Sequence, residues 1–167
     1  DRWAYGTGLP DNAVHVRSAT LEAVDAQLRA FNAGGPASAV QTEGWATQQW
    51  LRFLNGIPRH QSAVRLAEMD AALHLSESSN AYVQSAWFEL AIANRYGAVV
   101  PAMRAYVQRV GRMLLLRPIF RGLVAQGEWG RPIGEELLTL ARPGWHPMTV
   151  AAVESILHPA AEAPATH

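Results

Sequence analysis

Side chains that could carry catalysis or bind a metal are few in this sequence and widely separated. Histidine occurs at positions 15, 60, 74, 146, 158 and 167, without a His-Glu-x-x-His motif and without a pair four residues apart. A helix needs such a pair to present two imidazoles to one zinc ion. Glu135 and Glu136 are adjacent and point to different helix faces, so we expect them to complement a helix N-terminus rather than form a catalytic pair. We predict no catalytic residue and no metal ligand in this chain.

Sequence motifs for several other chemistries do not occur. The chain has no cysteine, which excludes a disulfide framework, an iron–sulfur site and a cysteine nucleophile. It has no Gly-x-Ser-x-Gly elbow, no phosphate-binding loop and no dinucleotide fingerprint. All 14 basic residues are arginine, so lysine chemistry is excluded as well. His146 directly precedes Pro147 and is interpreted as a turn residue that satisfies nearby backbone groups.

The most unusual stretch is the segment 111–118, which reads Gly-Arg-Met-Leu-Leu-Leu-Arg-Pro. Arg112 and Arg117 flank an apolar run between two helical patterns. A guanidinium is a planar fork that can donate two hydrogen bonds to one carboxylate, so Arg112 is a candidate anion anchor. The alternative is that Arg112 neutralises the negative C-terminal end of the preceding helix. Spacing alone favours this alternative.

Six tryptophans are many for a chain of this length. Trp50 and Trp87 fall on apolar stripes with helical spacing and are predicted to be core residues. Trp3, Trp129 and Trp145 are predicted in loops, where their rings could contact another domain.

The elements that position these residues are predicted to be helices. Apolar residues recur with helical spacing, and no two-residue alternation lasts long enough for a strand. The stripes cover residues 21–31, 42–57, 61–75, 83–91, 99–110, 116–123, 133–141 and 148–157. Thr42 is the expected N-cap of the second helix, and Pro118 is expected near the start of the sixth. We predict an all-α fold of about eight short antiparallel helices stacked as an α-α superhelix, similar to an armadillo or HEAT layer.

Glycine and proline divide the chain into three parts. Residues 1–17 are predicted to be an extended segment, because Gly6, Gly8 and Pro10 interrupt any regular pattern. Residues 18–157 form the predicted helical domain, and the Ala/Pro-rich residues 158–167 form a disordered tail. The sequence begins at Asp1 without an initiator methionine, so we expect it to be a piece of a longer polypeptide.

Charge and hydropathy limit the classes of partner. The formal net charge is zero, which argues against a nucleic-acid partner and an anionic membrane. No run of about 18 apolar residues is present, so we expect no membrane span. We expect a cytoplasmic location, or a periplasmic or secreted one if an upstream signal peptide has been removed.

Five short motifs occur in an order that is recognisable. They are Trp-Ala-Tyr-Gly-Thr-Gly-Leu-Pro at 3–10, Ser-Ala-Trp-Phe-Glu-Leu at 85–90, Gly-Arg-Met at 111–113, Arg-Pro-Ile-Phe at 117–120 and Trp-His-Pro-Met-Thr at 145–149. Together they resemble the C-terminal helical domain of leukotriene A4 hydrolase and the related zinc aminopeptidases, over nearly all of residues 1–157. Segment 111–120 is the specific part of this resemblance.

The resemblance implies that the chain is part of a larger enzyme. In that family a separate catalytic domain binds zinc, which activates water for peptide hydrolysis, so we expect no cofactor in this chain itself. The helical domain closes one side of the active-site cavity, and one arginine receives the free carboxylate of a short peptide; this role maps onto Arg112 alone. The implied partners are the N-terminal and catalytic domains of the same polypeptide and the substrate carboxylate. Residues 1–17 would be the strap that leaves the catalytic domain.

One position departs from the family pattern. The family member that hydrolyses a lipid epoxide has a lysine two residues after this arginine, where this chain has Leu114. A single cation binds carboxylates less strongly than two, so we expect aminopeptidase activity rather than epoxide hydrolysis. With the resemblance included, Arg112 is interpreted as a substrate anchor in the full enzyme. The alternative function is a free-standing helical-repeat scaffold for protein–protein interaction.

Overall fold

The computed structural model describes the backbone of residues 11–160 and the side chains from residue 18 onward. This part of the chain contains eight α-helices and no β-strand, which confirms the predicted all-α class. The helices are α1 (Asp11–Asn32), α2 (Thr47–Asn55), α3 (Ala63–Leu73), α4 (Ala81–Ala93), α5 (Val100–Arg109), α6 (Met113–Ala125), α7 (Gly127–Ala141) and α8 (Pro147–Leu157). Short 3-10 turns at Ala37–Ala39, Gly97–Val99 and Arg142–Gly144 lie in the connections.

The helices are stacked so that alternate helices lie side by side. α2 packs against α4, α4 against α6 and α6 against α8, so the even-numbered helices form one layer. α5 packs against α7 in a second layer, and α7 also contacts α6 and α8. This is the arrangement of stacked helical pairs in which each pair contacts its neighbours.

Helix α4 is the central element of the even-numbered layer. Nine of its 13 residues are buried, and Trp87 and Phe88 are fully inaccessible to solvent. The Tyr106 ring of α5 meets Phe88 edge to face at 5.3 Å, and its hydroxyl donates to the Ala81 carbonyl oxygen at 3.0 Å. Burial raises the pKa of Tyr106 to about 12. A helix covered on most sides fixes the relative positions of its neighbours.

Polar groups around α4 are satisfied by a short network. The Trp87 indole N–H donates to Ser76 Oγ at 2.9 Å, and the Ser76 hydroxyl donates to Asp70 Oδ2 at 2.6 Å. The buried Gln84 amide donates to the Ser76 carbonyl oxygen at 2.7 Å. The loop before α4 is thereby tied to its core face, and Asn80 caps the helix by accepting from the Tyr82 and Val83 backbone N–H groups.

Two helix starts differ from the prediction. The prediction of an extended segment over residues 1–17 is wrong for residues 11–17, which belong to α1. Residues 11–17 contain no glycine or proline, so nothing in them interrupts a helix. Helix α2 begins at Thr47, not at Thr42, because the Thr42 carbonyl accepts from Trp45 N at 3.1 Å in a turn. Residues 1–10 and, in the predicted tail, residues 161–167 lie outside the described residues.

Pro118, which was expected near a helix start, and Gly130 both lie inside helices. Pro118 is the sixth residue of α6, and Gly130 is the fourth residue of α7. Proline has no N–H, so the carbonyl of Leu114, four residues earlier, lacks its usual intrahelical donor. Gly130 is buried against α6, where a Cβ would lie 2.0 Å from the Leu123 carbonyl oxygen. Glycine at this position permits the close approach of α7 to α6.

The tryptophans are more involved in packing than predicted. Trp87 is fully buried, as predicted, and the half-buried Trp50 meets Trp45 edge to face at 5.2 Å. The placement of Trp129 in a loop is wrong, and Trp145, which does lie in the connection before α8, is not exposed for contact with another domain. Trp129 lies in α7 and packs against the core, while Trp145 is only 8% exposed. Trp3 lies outside the described residues.

Two glutamates experience opposite environments in this fold. Glu68 of α3 accepts from the Ala37 backbone N–H at 2.7 Å and from Arg65 Nη1 at 2.9 Å. These two hydrogen bonds, that of Ala37 first, hold the pKa of Glu68 below its ordinary value. Glu89 of α4 is half-buried, and burial raises its pKa, with Arg59 opposing part of the shift. The ionised form is therefore stabilising at Glu68 and destabilising at Glu89.

We expect Gly130→Ala to lower the free energy of unfolding by about 2 to 3 kcal/mol, because the new methyl group overlaps the Leu123 carbonyl and must push α7 from α6. Urea denaturation of the purified chain measures this change. Gly97→Ala is the matched control, since a Cβ at Gly97 meets no atom within 4 Å. An equal loss in both variants would contradict the close α6–α7 contact.

Glu89→Gln and Glu68→Gln should change stability in opposite directions at pH 7. A raised pKa means that folding favours the protonated carboxyl, so Glu89→Gln should stabilise the chain at pH 7. That gain should vanish as the pH falls below the ordinary value of 4.5. Glu68 contributes stability that is present above pH 4.5 and is lost as the pH falls through its lowered folded value. Glu68→Gln should thus destabilise at pH 7 and lose its effect in acid; thermal unfolding between pH 3 and 7 measures both.

Candidate functional site

Arg112 lies in the connection between α5 and α6 and is the N-cap residue of α6. Its backbone is extended, and its carbonyl oxygen accepts from Leu115 N at 3.0 Å and Leu116 N at 3.1 Å. Its side chain is exposed at the positive end of α6, where an anion, not a cation, is stabilised by the helix dipole. The basic residue in the last turn of α5 is Arg109. These positions favour the anion-anchor interpretation of Arg112 over dipole compensation of α5.

The loop that carries Arg112 is held in place by Trp145. The Trp145 indole N–H donates to the carbonyl oxygens of Val107 at 2.9 Å and Val110 at 3.0 Å, at the end of α5. The next residue, Gly111, lies against the same indole: a Cβ at Gly111 would be 3.3 Å from Trp145 Cδ1. The Thr149 hydroxyl of α8 also donates to the Gly111 carbonyl oxygen at 3.3 Å. The backbone that leads into Arg112 is thus bound to the start of α8.

The guanidinium of Arg112 contacts one side chain from α4. Arg112 Nη1 donates to the Tyr82 hydroxyl oxygen at 2.7 Å. Tyr82 is the second residue of α4, its backbone N–H is capped by Asn80 at 3.0 Å, and its half-buried ring packs against the core. Tyr82 lies 30 positions before Arg112 in the sequence, so no local sequence pattern indicates that the two side chains meet. It is the partner that sequence reasoning missed.

Arg109, the nearest other arginine in sequence, is occupied by protein groups. Its guanidinium donates to the buried Gln84 side-chain oxygen and lies 6.0 Å from the centre of the Tyr106 ring. The Gln84 amide is held in turn by the Ser76 carbonyl. Arg109 therefore supports the core, whereas the side chain of Arg112 extends into solvent with one protein contact among the described residues.

Apolar side chains flank the start of α6 and the start of α8. Leu114 is 63% exposed and lies two residues after Arg112. Met148 is 76% exposed and precedes Thr149, whose hydroxyl binds the loop at Gly111. Exposed large apolar groups at the starts of the two helices that adjoin the Arg112 loop suit an anion that carries an apolar substituent. The arrangement can bind and orient such a molecule, but it contains no acid–base pair.

The histidines and the adjacent glutamates have structural contacts. His146 is the N-cap of α8 and accepts from Met148 N at 3.1 Å, which confirms its predicted turn role. Glu135 and Glu136 lie in the middle of α7, so the prediction that they complement a helix N-terminus is wrong; Glu135 pairs with His158 at 2.7 Å and Glu136 with Arg104 at 2.6 Å. Between residues 18 and 160, no group of three His, Asp or Glu side chains is placed to hold a metal ion.

A concave feature apart from Arg112 lies between α4 and α6. This groove encloses about 430 Å³ and does not include Arg112 among its lining residues. The half-buried Glu89 lies on one wall, with Ile92 and Gly122 on the apolar surface. Arg59, also on the wall, donates to the Leu54 and Ile57 carbonyl oxygens and so caps the end of α2. The guanidinium of Arg59 is thus occupied by the cap of α2, and burial raises the pKa of Glu89.

In the described part of the chain, no helix is both long enough and apolar enough to cross a lipid bilayer.

The chain is similar to three fungal proteins, each named leucine aminopeptidase 2. The Neurospora crassa protein is 28% identical over 116 residues, which are 68% of this chain and 17% of the relative. The Ajellomyces capsulatus protein is 25% identical over 163 residues, or 94% of this chain and 26% of the relative. The Pyricularia oryzae protein is 25% identical over 123 residues, or 72% and 20%. The chain therefore spans at most about a quarter of the length of these relatives.

A family assignment follows from a match to a family profile. Residues 45–157 match the sequence profile described as "Leukotriene A4 hydrolase, C-terminal". This range covers more than half of the 167 residues and includes α2 to α8, with the connection that carries Arg112. The chain belongs to the leukotriene A4 hydrolase C-terminal domain family.

Proposed function

We propose that this chain is the accessory C-terminal domain of a zinc aminopeptidase and that it anchors the free carboxylate of a peptide substrate through Arg112. The observation that carries the proposal is the exposed guanidinium at the start of α6, on a loop fixed by Trp145. A catalytic domain elsewhere in the polypeptide would bind zinc and supply the activated water. The helical domain would close one side of the cavity between them.

The local electrostatics suit a carboxylate at this position. The Arg112 guanidinium can donate two parallel hydrogen bonds to its two oxygens. The first backbone N–H groups of α6 have no partner within the helix and point toward the same end, so they add positive potential there. Binding the carboxylate at one fixed point would orient a short peptide with its amino end toward the zinc. Orientation of this kind converts binding energy into a higher rate.

The start of α6 also indicates which peptides would bind well. Leu114 and Met148 are exposed apolar residues at the starts of α6 and α8, the two helices that adjoin the Arg112 loop, so a C-terminal residue with an apolar side chain would bury area against them. Leu114 adds no second cation two residues after Arg112, and the next arginine, Arg117, lies more than one turn further along α6. This supports peptide hydrolysis rather than epoxide hydrolysis as the activity of the whole enzyme.

In the full-length enzyme, Arg112→Gln should raise KM for a tripeptide with a free carboxylate about 10- to 100-fold, because a charged hydrogen-bond pair is lost. KM for the same tripeptide as its C-terminal amide should change little. For the tripeptide acid, the KM of Arg112→Lys should lie between those of wild type and Arg112→Gln, since lysine keeps the charge but cannot donate two parallel hydrogen bonds. Arg121→Gln, an exposed arginine later in α6, is the control. Equal losses on the acid and the amide would reject the anchoring role.

The isolated chain should neither cleave an amino-acid arylamide nor bind zinc at one equivalent. Inductively coupled plasma analysis after dialysis against zinc measures the metal, and arylamide release measures activity. The scaffold alternative is tested by the gene: a His-Glu-x-x-His motif encoded upstream of Asp1 would exclude a free-standing scaffold. Stoichiometric zinc on this chain alone would overturn the accessory-domain proposal.

A further inference from the structure

We propose that the Tyr82 hydroxyl is a second donor to the substrate carboxylate, beside Arg112. The inference rests on the proposed anchoring role of Arg112 and adds a residue from a different helix to the same site. The uncharged Tyr82 hydroxyl would donate a second hydrogen bond to the carboxylate, which the apolar side chain of Leu114 cannot do.

The hydrogen-bond chemistry of the pair leaves one donor unused. An arginine side chain has only donors, so in the 2.7 Å contact the Tyr82 oxygen must accept from Arg112 Nη1. The hydroxyl hydrogen of Tyr82 is then directed away from the guanidinium. Within residues 18–160, no protein acceptor receives a hydrogen bond from this hydroxyl. Among the described residues, an unpaired O–H therefore lies next to the remaining unpaired N–H groups of Arg112.

A carboxylate matches this pair of neighbouring donors. It has two oxygens and can accept at both, whereas a neutral amide offers one acceptor oxygen and a competing NH₂ group. The Arg112 contact also polarises the phenol, since accepting from a cation makes its O–H a stronger donor. An anion at this position would thus receive one charged and one neutral hydrogen bond from side chains of two helices.

The position of the Tyr82 hydroxyl is fixed by the fold. Its backbone is held in the first turn of α4 by the Asn80 cap, and the Asn80 amide donates to Thr47 Oγ1 of α2 at 2.8 Å. The ring packs against the hydrophobic core, so only rotation of the O–H bond remains to be ordered when an anion binds. Little conformational entropy is lost in forming this hydrogen bond.

The charge of the site is matched to a monoanion. At the N-cap of α6, Arg112 supplies the cation that contacts Tyr82, and Leu114 is apolar and exposed. The next arginine, Arg117, lies more than one turn further along α6. A neutral phenol adds affinity without a second positive charge, which would favour ligands with two negative charges. A peptide whose C-terminal carboxylate is its only anionic group near this point fits the pair.

The alternative role for Tyr82 is to orient Arg112 without touching substrate. A double-variant experiment in the full-length enzyme separates the two roles. KM and kcat are measured for a tripeptide acid and its C-terminal amide with wild type, Tyr82→Phe, Arg112→Gln and the double variant. Phenylalanine keeps the ring that packs on the core and removes only the hydroxyl. Tyr96→Phe is the matched control, because Tyr96 is half-buried against Trp87 and away from Arg112.

We expect Tyr82→Phe to raise KM for the acid about fivefold, both in wild type and in the Arg112→Gln background, with the amide unaffected. A loss that disappears when Arg112 is absent would show that Tyr82 only positions Arg112, and would overturn the proposal. A loss shared by the acid and the amide, or reproduced by Tyr96→Phe, would also overturn it. If Arg112→Gln has no effect specific to the acid, the proposed anchoring role of Arg112 is rejected. An acid-specific effect of Tyr82→Phe would still support a contact between Tyr82 and the carboxylate.

Discussion

The indole N–H of Trp145 donates to the carbonyl oxygens of Val107 and Val110 and so ties the start of α8 to the end of α5. Helix C-terminal carbonyls have no partner within their own helix, and here one donor from a distant element satisfies two of them. The Trp145 ring also meets Phe120 of α6 edge to face at 5.9 Å. One side chain therefore fixes the relative positions of three helices, and Gly111 lies against it. The direction in which Arg112 leaves the loop follows from this contact.

Helix α4 connects the core with this end of the molecule. Its middle is fully buried around Trp87, while Tyr82 in its first turn accepts a hydrogen bond from the exposed Arg112 side chain. Because α4 packs against both α2 and α6, its position is set by burial on two sides rather than by the site. The Tyr82–Arg112 contact thus joins two elements that the core has already placed. A binding group held in this way requires little reorganisation when a ligand arrives.

Sequence reasoning predicted the helices well, because apolar spacing is a local signal. It was less successful where tertiary contacts determine the burial of a side chain or the end of a helix. Trp145 follows a Pro-Gly break and was expected in an exposed loop, yet its indole is buried by partners some 35 positions earlier. Pro118 was expected to mark a helix start, but flanking apolar residues keep α6 continuous around it. Arg112 was found through a motif, whereas Tyr82 has no motif and only the fold brings it to the site.

Pro118 has a consequence for the motion of the start of α6. Its ring removes the hydrogen bond that would link residue 118 to the Leu114 carbonyl, so the first turn of α6 is attached to the rest of the helix by fewer backbone bonds. Opening that turn costs less free energy than opening a turn without proline, and such local opening is the kind that amide hydrogen exchange detects. The turn that follows Arg112 can therefore adjust to a bound molecule while the rest of α6 and the helices packed against it stay folded.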